Sequence, residues 1–118
     1  MIDLEIASTD FSPKVELNNG QLLITGEIRP EFPHEFFVPI HEKLAKLSAQ
    51  NLVVKCALEF ISSSSILQLK KMFKVISDNK GIENTSVEWK YQKEDEDMLE
   101  VGEYIEEVSS FKFNYIII

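Results

Sequence analysis

The sequence predicts an α/β domain: a mixed, largely parallel sheet with its helices mainly on one face. Three observations predict it. An Asn-Asn-Gly turn separates two strand-like runs near the start. Helical and strand periodicities then alternate to the end of the chain. In the middle, an apolar strand passes through consecutive serines straight into an amphipathic helix, the linkage of a β-α-β unit. The 118 residues are read as one domain, 1–118, long enough to bury an ordinary core.

Each element follows from its residues. Leu4 to Ala7 suggests a short first strand, broken by Ser12-Pro13. Lys14, Val15, Glu16 and Leu17 alternate polar with apolar, Asn18-Asn19-Gly20 is a tight-turn signal, and Gln21 to Ile28 returns as the second arm of a β-hairpin. Arg29-Pro30-Glu31-Phe32-Pro33 ends that arm. Phe36, Phe37, Ile40, Leu44 and Leu47 then recur at helical spacing. Pro39 lacks an N–H to donate, so the helix is expected to begin just before it or to kink there.

Leu52 to Ile61 is apolar with little alternation, which predicts a strand buried on both faces. Ser62 to Ser65 follow, then Ile66, Leu69, Phe73 and Ile76 mark one stripe of a helix that stops around Ser77 to Gly81. Thr85 to Tyr91 alternates, with Val87, Trp89 and Tyr91 on one side. The acidic run Glu94 to Asp97 precedes Met98, Val101, Ile105 and Val108 at helical spacing, where carboxylates suit the helix dipole. Phe111 to Ile118 closes the chain as an apolar strand.

Composition narrows the function. A net charge of −8 and a single arginine, Arg29, argue against nucleic acid and against anionic membranes, because both are bound by neutralising phosphates. A protein partner with a basic or mixed face is favoured. No signal peptide opens the sequence, no stretch approaches the ~20 apolar residues that span a bilayer, and lone Cys56 allows no internal disulfide; a cytoplasmic location is expected. Cys56 sits inside the apolar strand, where an inert buried thiol is expected.

The recognisable catalytic constellations are missing from the sequence. Gly20, Gly26, Gly81 and Gly102 are isolated, so there is no phosphate loop, and no G-x-S-x-G elbow surrounds the serines. His34 and His41 lack a second ligand at useful spacing and read as surface or helix-end residues. The acidic run does not follow the oxygen spacing of an EF-hand loop. No enzyme, metal or cofactor is expected. What remains is Ser62 to Ser65 at a strand-to-helix corner. One serine suffices as an N-cap. The others sit where helix N–H groups and the dipole favour an anion, so a phosphate carried by a serine would be tolerated there.

Several islands along the chain together resemble the SiaC family of bacterial regulatory phosphoproteins, whose fold is related to the STAS domains of anti-sigma-factor antagonists. Ser12-Pro13-Lys14-Val15 is similar to the family's opening Thr/Ser-Pro-x-Val. Gly26-Glu27-Ile28-Arg29-Pro30-Glu31 resembles its Gly-x-Ser-x-Pro-Glu turn, and Phe36-Phe37-Val38-Pro39 its Phe-Tyr-x-Pro. Leu58 to Ser65 occupies the place of its Glu-Tyr-Phe-Asn-Thr-Ser-Ser segment. Trp89-Lys90-Tyr91, Glu94 to Met98 and Glu100-Val101-Gly102-Glu103 resemble its Trp-x-Tyr, acidic run and Gly-Glu.

The resemblance implies a single STAS-like domain and a non-enzymatic switch. It implies phosphorylation by a dedicated kinase, removal by a PP2C-type phosphatase, and an unmodified form that binds an effector such as a diguanylate cyclase. The acceptor maps to Ser63, with Ser62 and Ser64 as register alternatives, since Ser62 replaces the family's Asn and Ser63 its Thr. Ser62, Ser64, Ser65, Arg29 and Glu31 are the implied partner contacts; Ile28 stands where the family often has serine. A constitutive binding module and a small-molecule sensor of the same fold are the other readings.

Overall fold

The structure, a computed structural model, describes residues 2–118; Met1, the first residue of the expected domain, lies outside the described residues. The elements run β1 (Ile2–Ile6), β2 (Lys14–Asn18), β3 (Gln21–Ile28), α1 (Pro33–Lys46), β4 (Ala49–Ile61), α2 (Ser63–Asp78), β5 (Ile82–Tyr91), α3 (Glu96–Val108) and β6 (Phe113–Ile117). They form one six-stranded sheet in the order β1-β2-β3-β4-β5-β6. The first three strands are antiparallel and the β3–β4, β4–β5 and β5–β6 pairs are parallel.

That order explains the layering. Each parallel crossover advances one strand in the same direction, and right-handed crossovers of one direction put every helix on one face. The core lies between that face and the helices, with Val54, Cys56, Trp89, Phe37, Leu69 and Phe73 at its centre. Apolar density in Leu52 to Ile61 predicts burial on both faces, and the structure corrects this. Leu52, Val54, Cys56 and Leu58 are buried, whereas Val53, Lys55 and Ala57 between them are only partly covered, on the face without helices. Lys55 is the residue that marks the open side.

The hairpin turn places Asn19 and Gly20 at positive φ, +50° and +76°, as a two-residue turn between right-twisted strands requires. Any Cβ on Gly20 would also sit 2.7 Å from the Asn51 carbonyl oxygen. Helix α1 begins at Pro33, six residues before Pro39, because Pro33 fits the first helical turn, where an N–H is unneeded. Pro39 lies inside the helix. Asn79 ends two helices at once. It is the C-cap of α2, and its Nδ2 donates to the Leu44 and Leu47 carbonyls at the end of α1 (2.7 and 2.8 Å). Gly102 lets α3 lie directly on the Trp89 indole, whose Nε1 donates to the Met98 carbonyl (3.0 Å). Among the described residues no helix is long and apolar enough to cross a membrane.

Candidate functional site

The four serines do different jobs. Ser62, with extended backbone, is the N-cap of α2; its Oγ accepts from the Ser65 N–H (3.3 Å) and donates to Ser65 Oγ (2.8 Å). Ser65 is fully buried. Ser63 and Ser64, the first two helical residues, are exposed. Ser64 Oγ lies at 3.5 Å from Ser62 Oγ, whereas the Ser63 hydroxyl has no hydrogen-bond partner among the described residues. Ser62 and Ser65 hold the corner; the Ser63 hydroxyl is exposed and takes no part in it.

Neighbouring elements bring other residues to this edge. The Ser62 N–H donates to the Ile28 carbonyl (2.9 Å), so the ends of β3 and β4 meet beside the start of α2. Arg29, just past β3, donates from its backbone N–H to Phe11, lays its guanidinium 5.1 Å over the Phe11 ring, and bonds Glu27 (3.2 Å). Arg29 and Glu31 are exposed on this edge, as are Ser63 and Ser64. Ser65, also an implied partner contact, has no surface to offer.

Sequence reasoning missed three exposed rings near here: Phe11 (56% exposed), Phe32 (59%) and Phe60 (46%). Phe60 is turned out by a β-bulge. Gly26 pairs with Leu58 but Glu27 pairs with Phe60, so Glu59 is an extra residue in β4 and the alternation flips. Opposite the bulge, Gly26 takes φ +109°, a conformation that favours glycine. With little alternation in the run, only Glu59, set between Leu58 and the Phe60-Ile61 doublet, could have hinted at it. Exposed aromatic rings beside an arginine are the usual makings of a protein interface.

On the other side, Ser63 opens onto a groove of about 520 Å³ between α2 and α3, lined by Ile66, Leu67, Asp97, Glu100, Val101 and Tyr104. No acidic side chain lies in the first turn of α2 itself, leaving its N-terminal dipole unopposed from within the helix. Across the groove, Asp95 caps α3 by accepting from the Met98 N–H (3.1 Å), with Glu96 and Asp97 in the first turn.

Other reactive groups are structural. Burial pushes the Cys56 thiol up to about 12, so it is not a nucleophile near neutral pH. His41, expected at the surface or a helix end, is buried instead (8% exposed) and stacked on Phe37. Its Nε2 meets Gln68 Oε1 on α2 at 3.3 Å, so the fold brings it to a glutamine and not to a serine. Desolvation by burial lowers its pKa, with the Gln68 hydrogen bond acting the other way. Among the described residues no His, Cys, Asp and Glu cluster is placed to hold a metal ion.

The fold is a two-layered α/β domain, one sheet covered on one face by helices, with an unengaged hydroxyl on a helix's first turn and exposed rings beside it, the features of a small regulatory domain rather than of a catalytic centre. The chain belongs to the SiaC family: a family profile described as SiaC family regulatory phosphoprotein matches residues 6–118. Its role is therefore regulatory, not that of an enzyme. No curated protein matches the chain. Among solved structures, apo-SiaC from Pseudomonas aeruginosa is similar in fold, with a TM-score of 0.82 at 23% identity, over 96% of this chain and 97% of that one. The structure of diguanylate cyclase SiaD in complex with its activator SiaC, from the same organism, gives a TM-score of 0.84 at 24% identity, over 98% and 99%.

Proposed function

We propose that this protein is a binding switch controlled by phosphorylation of Ser63. A kinase adds the phosphate, a PP2C-type phosphatase removes it, and the unmodified form binds and regulates an effector. A diguanylate cyclase is the candidate effector, because the relative SiaC is the activator of the cyclase SiaD. The observation that carries the proposal is the division of labour among the serines. The two hydroxyls that the fold needs belong to Ser62 and Ser65, and Ser63 stands exposed at the first position of α2.

The physics of the switch follows from that position. A phosphoserine carries roughly −1.5 to −2 charge at neutral pH. At the first helical position the phosphate is accommodated by free N–H groups and the helix dipole, so the fold survives modification. It lies, however, beside Asp97 and Glu100 and on the rim of an apolar groove. A partner that covers this rim would have to desolvate the phosphate or leave. A coupling of about 1–3 kcal/mol changes affinity about 5- to 150-fold, enough for a switch.

The test uses the diguanylate cyclase of the source organism and the full chain. Kinase-phosphorylated protein and the Ser63→Asp variant should bind it at least about fivefold more weakly than unmodified protein, and Ser63→Ala should bind as tightly. Equal affinity of the phosphorylated and unmodified forms would rule the switch out.

A further inference from the structure

The acidic balance of the chain points to a basic or mixed partner face, but one part of the surface has the opposite character. Between α2 and α3, away from the serine end, is a groove of about 380 Å³ with an apolar floor of Leu67, Phe73 and Val108. Lys70, Lys71 and Lys74 rim it along α2, and no carboxylate lines it, although the chain carries 20 acidic residues. Leu67 and Val108 are 60% and 42% exposed, apolar surface left without a cover on two adjacent helices. Lys74 pairs with Asp78 at 3.3 Å, but both side chains are largely exposed and such a pair is weak and easily exchanged. From these residues we infer that this groove binds an acidic protein segment carrying apolar anchors.

Charge complementarity selects the acid. Three ammonium groups beside apolar surface favour carboxylates positioned around aliphatic or aromatic side chains, and disfavour a basic segment. Shape selects a protein segment over a compact ligand. Leu67 lines both this groove and the one that opens at Ser63, so the two adjoin at that side chain and together make a trough whose lining runs along α2 from Ser63 to Ser77. Fourteen helical steps span about 21 Å, the length of a four-turn helix or of six to seven extended residues. The trough is also polar along its length, with lysines at one end and Asp97 and Glu100 at the other. The bound segment therefore directs its acidic end toward Lys74 and an uncharged end toward Ser63. The inference rests on the chain's being a partner-binding regulatory protein, and not on Ser63's being the switch.

Peptides selected from a random display library on the intact protein test it. Competitive selection should enrich sequences that combine Asp or Glu with Leu, Ile or Phe. Replacing Lys70, Lys71 and Lys74 by alanine should weaken the selected peptides about tenfold or more, and raising salt should weaken them in the parent protein. Alanine is the better helix former, so this variant keeps its fold, which its melting temperature verifies. A Leu67→Asp variant should lose the same peptides through the floor of the groove. Enrichment of basic or uncharged peptides, no enrichment, or acidic peptides that bind the lysine variant unchanged would each overturn the inference. Measured alongside, short peptides anchored at the lysine end should bind Ser63→Asp as they bind the parent. The groove and the phosphorylation switch therefore fail independently.

Discussion

The unequal roles of the four serines give a sharp stability prediction. Ser62→Ala removes the N-cap acceptor of the Ser65 N–H and the 2.8 Å donor to the buried Ser65 hydroxyl. Loss of a cap costs about 1 kcal/mol. Leaving the buried Ser65 hydroxyl without its partner adds about 1 kcal/mol or somewhat more. For a chain of this length a kilocalorie corresponds to about 4 °C in melting temperature, so Ser62→Ala should melt about 8 °C lower. Ser65→Ala removes a buried hydroxyl but leaves Ser62 its capping role, and should cost about 1 kcal/mol. Ser63→Ala and Ser64→Ala touch exposed groups with no such duties and should stay within about 0.5 kcal/mol of the parent. Urea and thermal unfolding of the four variants measure this directly. If Ser63→Ala destabilised the protein as much as Ser62→Ala, Ser63 would be a structural serine and the assignment of the free hydroxyl would be wrong.

Three further outcomes are expected. Gly102→Ala would place a methyl group 2.5–2.8 Å from the rigid, fully buried Trp89 indole, costing about 2–3 kcal/mol of overpacking against about 1 kcal/mol of helix propensity gained; a net loss with altered tryptophan fluorescence is predicted, and unchanged stability would refute it. Asn79→Ala should cost about 1–3 kcal/mol, because the carbonyls ending α1 and the Gly81 N–H lose their partner together; urea unfolding checks it. His41 is held below its ordinary 6.5 by burial, so below that pH the unfolded chain binds the proton more readily and stability falls as pH drops. Denaturation midpoints between pH 7.5 and 5 should show that fall and a flatter profile in His41→Gln; carried on to lower pH, they should show a further loss that begins at the ordinary carboxylate pKa and continues down to the lowered one of Glu106, whose carboxylate accepts from the Tyr115 hydroxyl and the Phe113 N–H.

What was legible in the sequence was local. Asn19-Gly20 dictates the hairpin by its backbone demands, and helical spacing in Leu69, Phe73 and Ile76 dictates a core-facing stripe wherever the helix packs. The order of elements followed, and with it the one-sided layering. The unseen features depend on which elements become neighbours. Leu52 to Ile61 looks buried twice over because its outward residues include Val53 and Ala57, and only the common direction of the crossovers leaves that face bare. The bulge at Glu59 depends on the partner strand and on Gly26, so the outward turn of Phe60 was not read. His41 is polar, yet its place on α1 opposite Gln68 buries it. At the site, the serine run marked the location from sequence alone. Only the extended backbone of Ser62 and the burial of Ser65 separate the capping serines from the free one. The lysines on α2 were visible too, but the apolar floor between them exists only once Val108 of α3 is brought alongside.

The most direct measurement of the central claim is intact and peptide mass spectrometry of the protein purified from its native cells, with and without phosphatase treatment. The account predicts a single phosphatase-sensitive phosphate, mapped to Ser63. A phosphate confined to Ser64 would move the acceptor by one residue and contradict the assignment, and the absence of any phosphate across growth conditions would leave a constitutive binding module in its place.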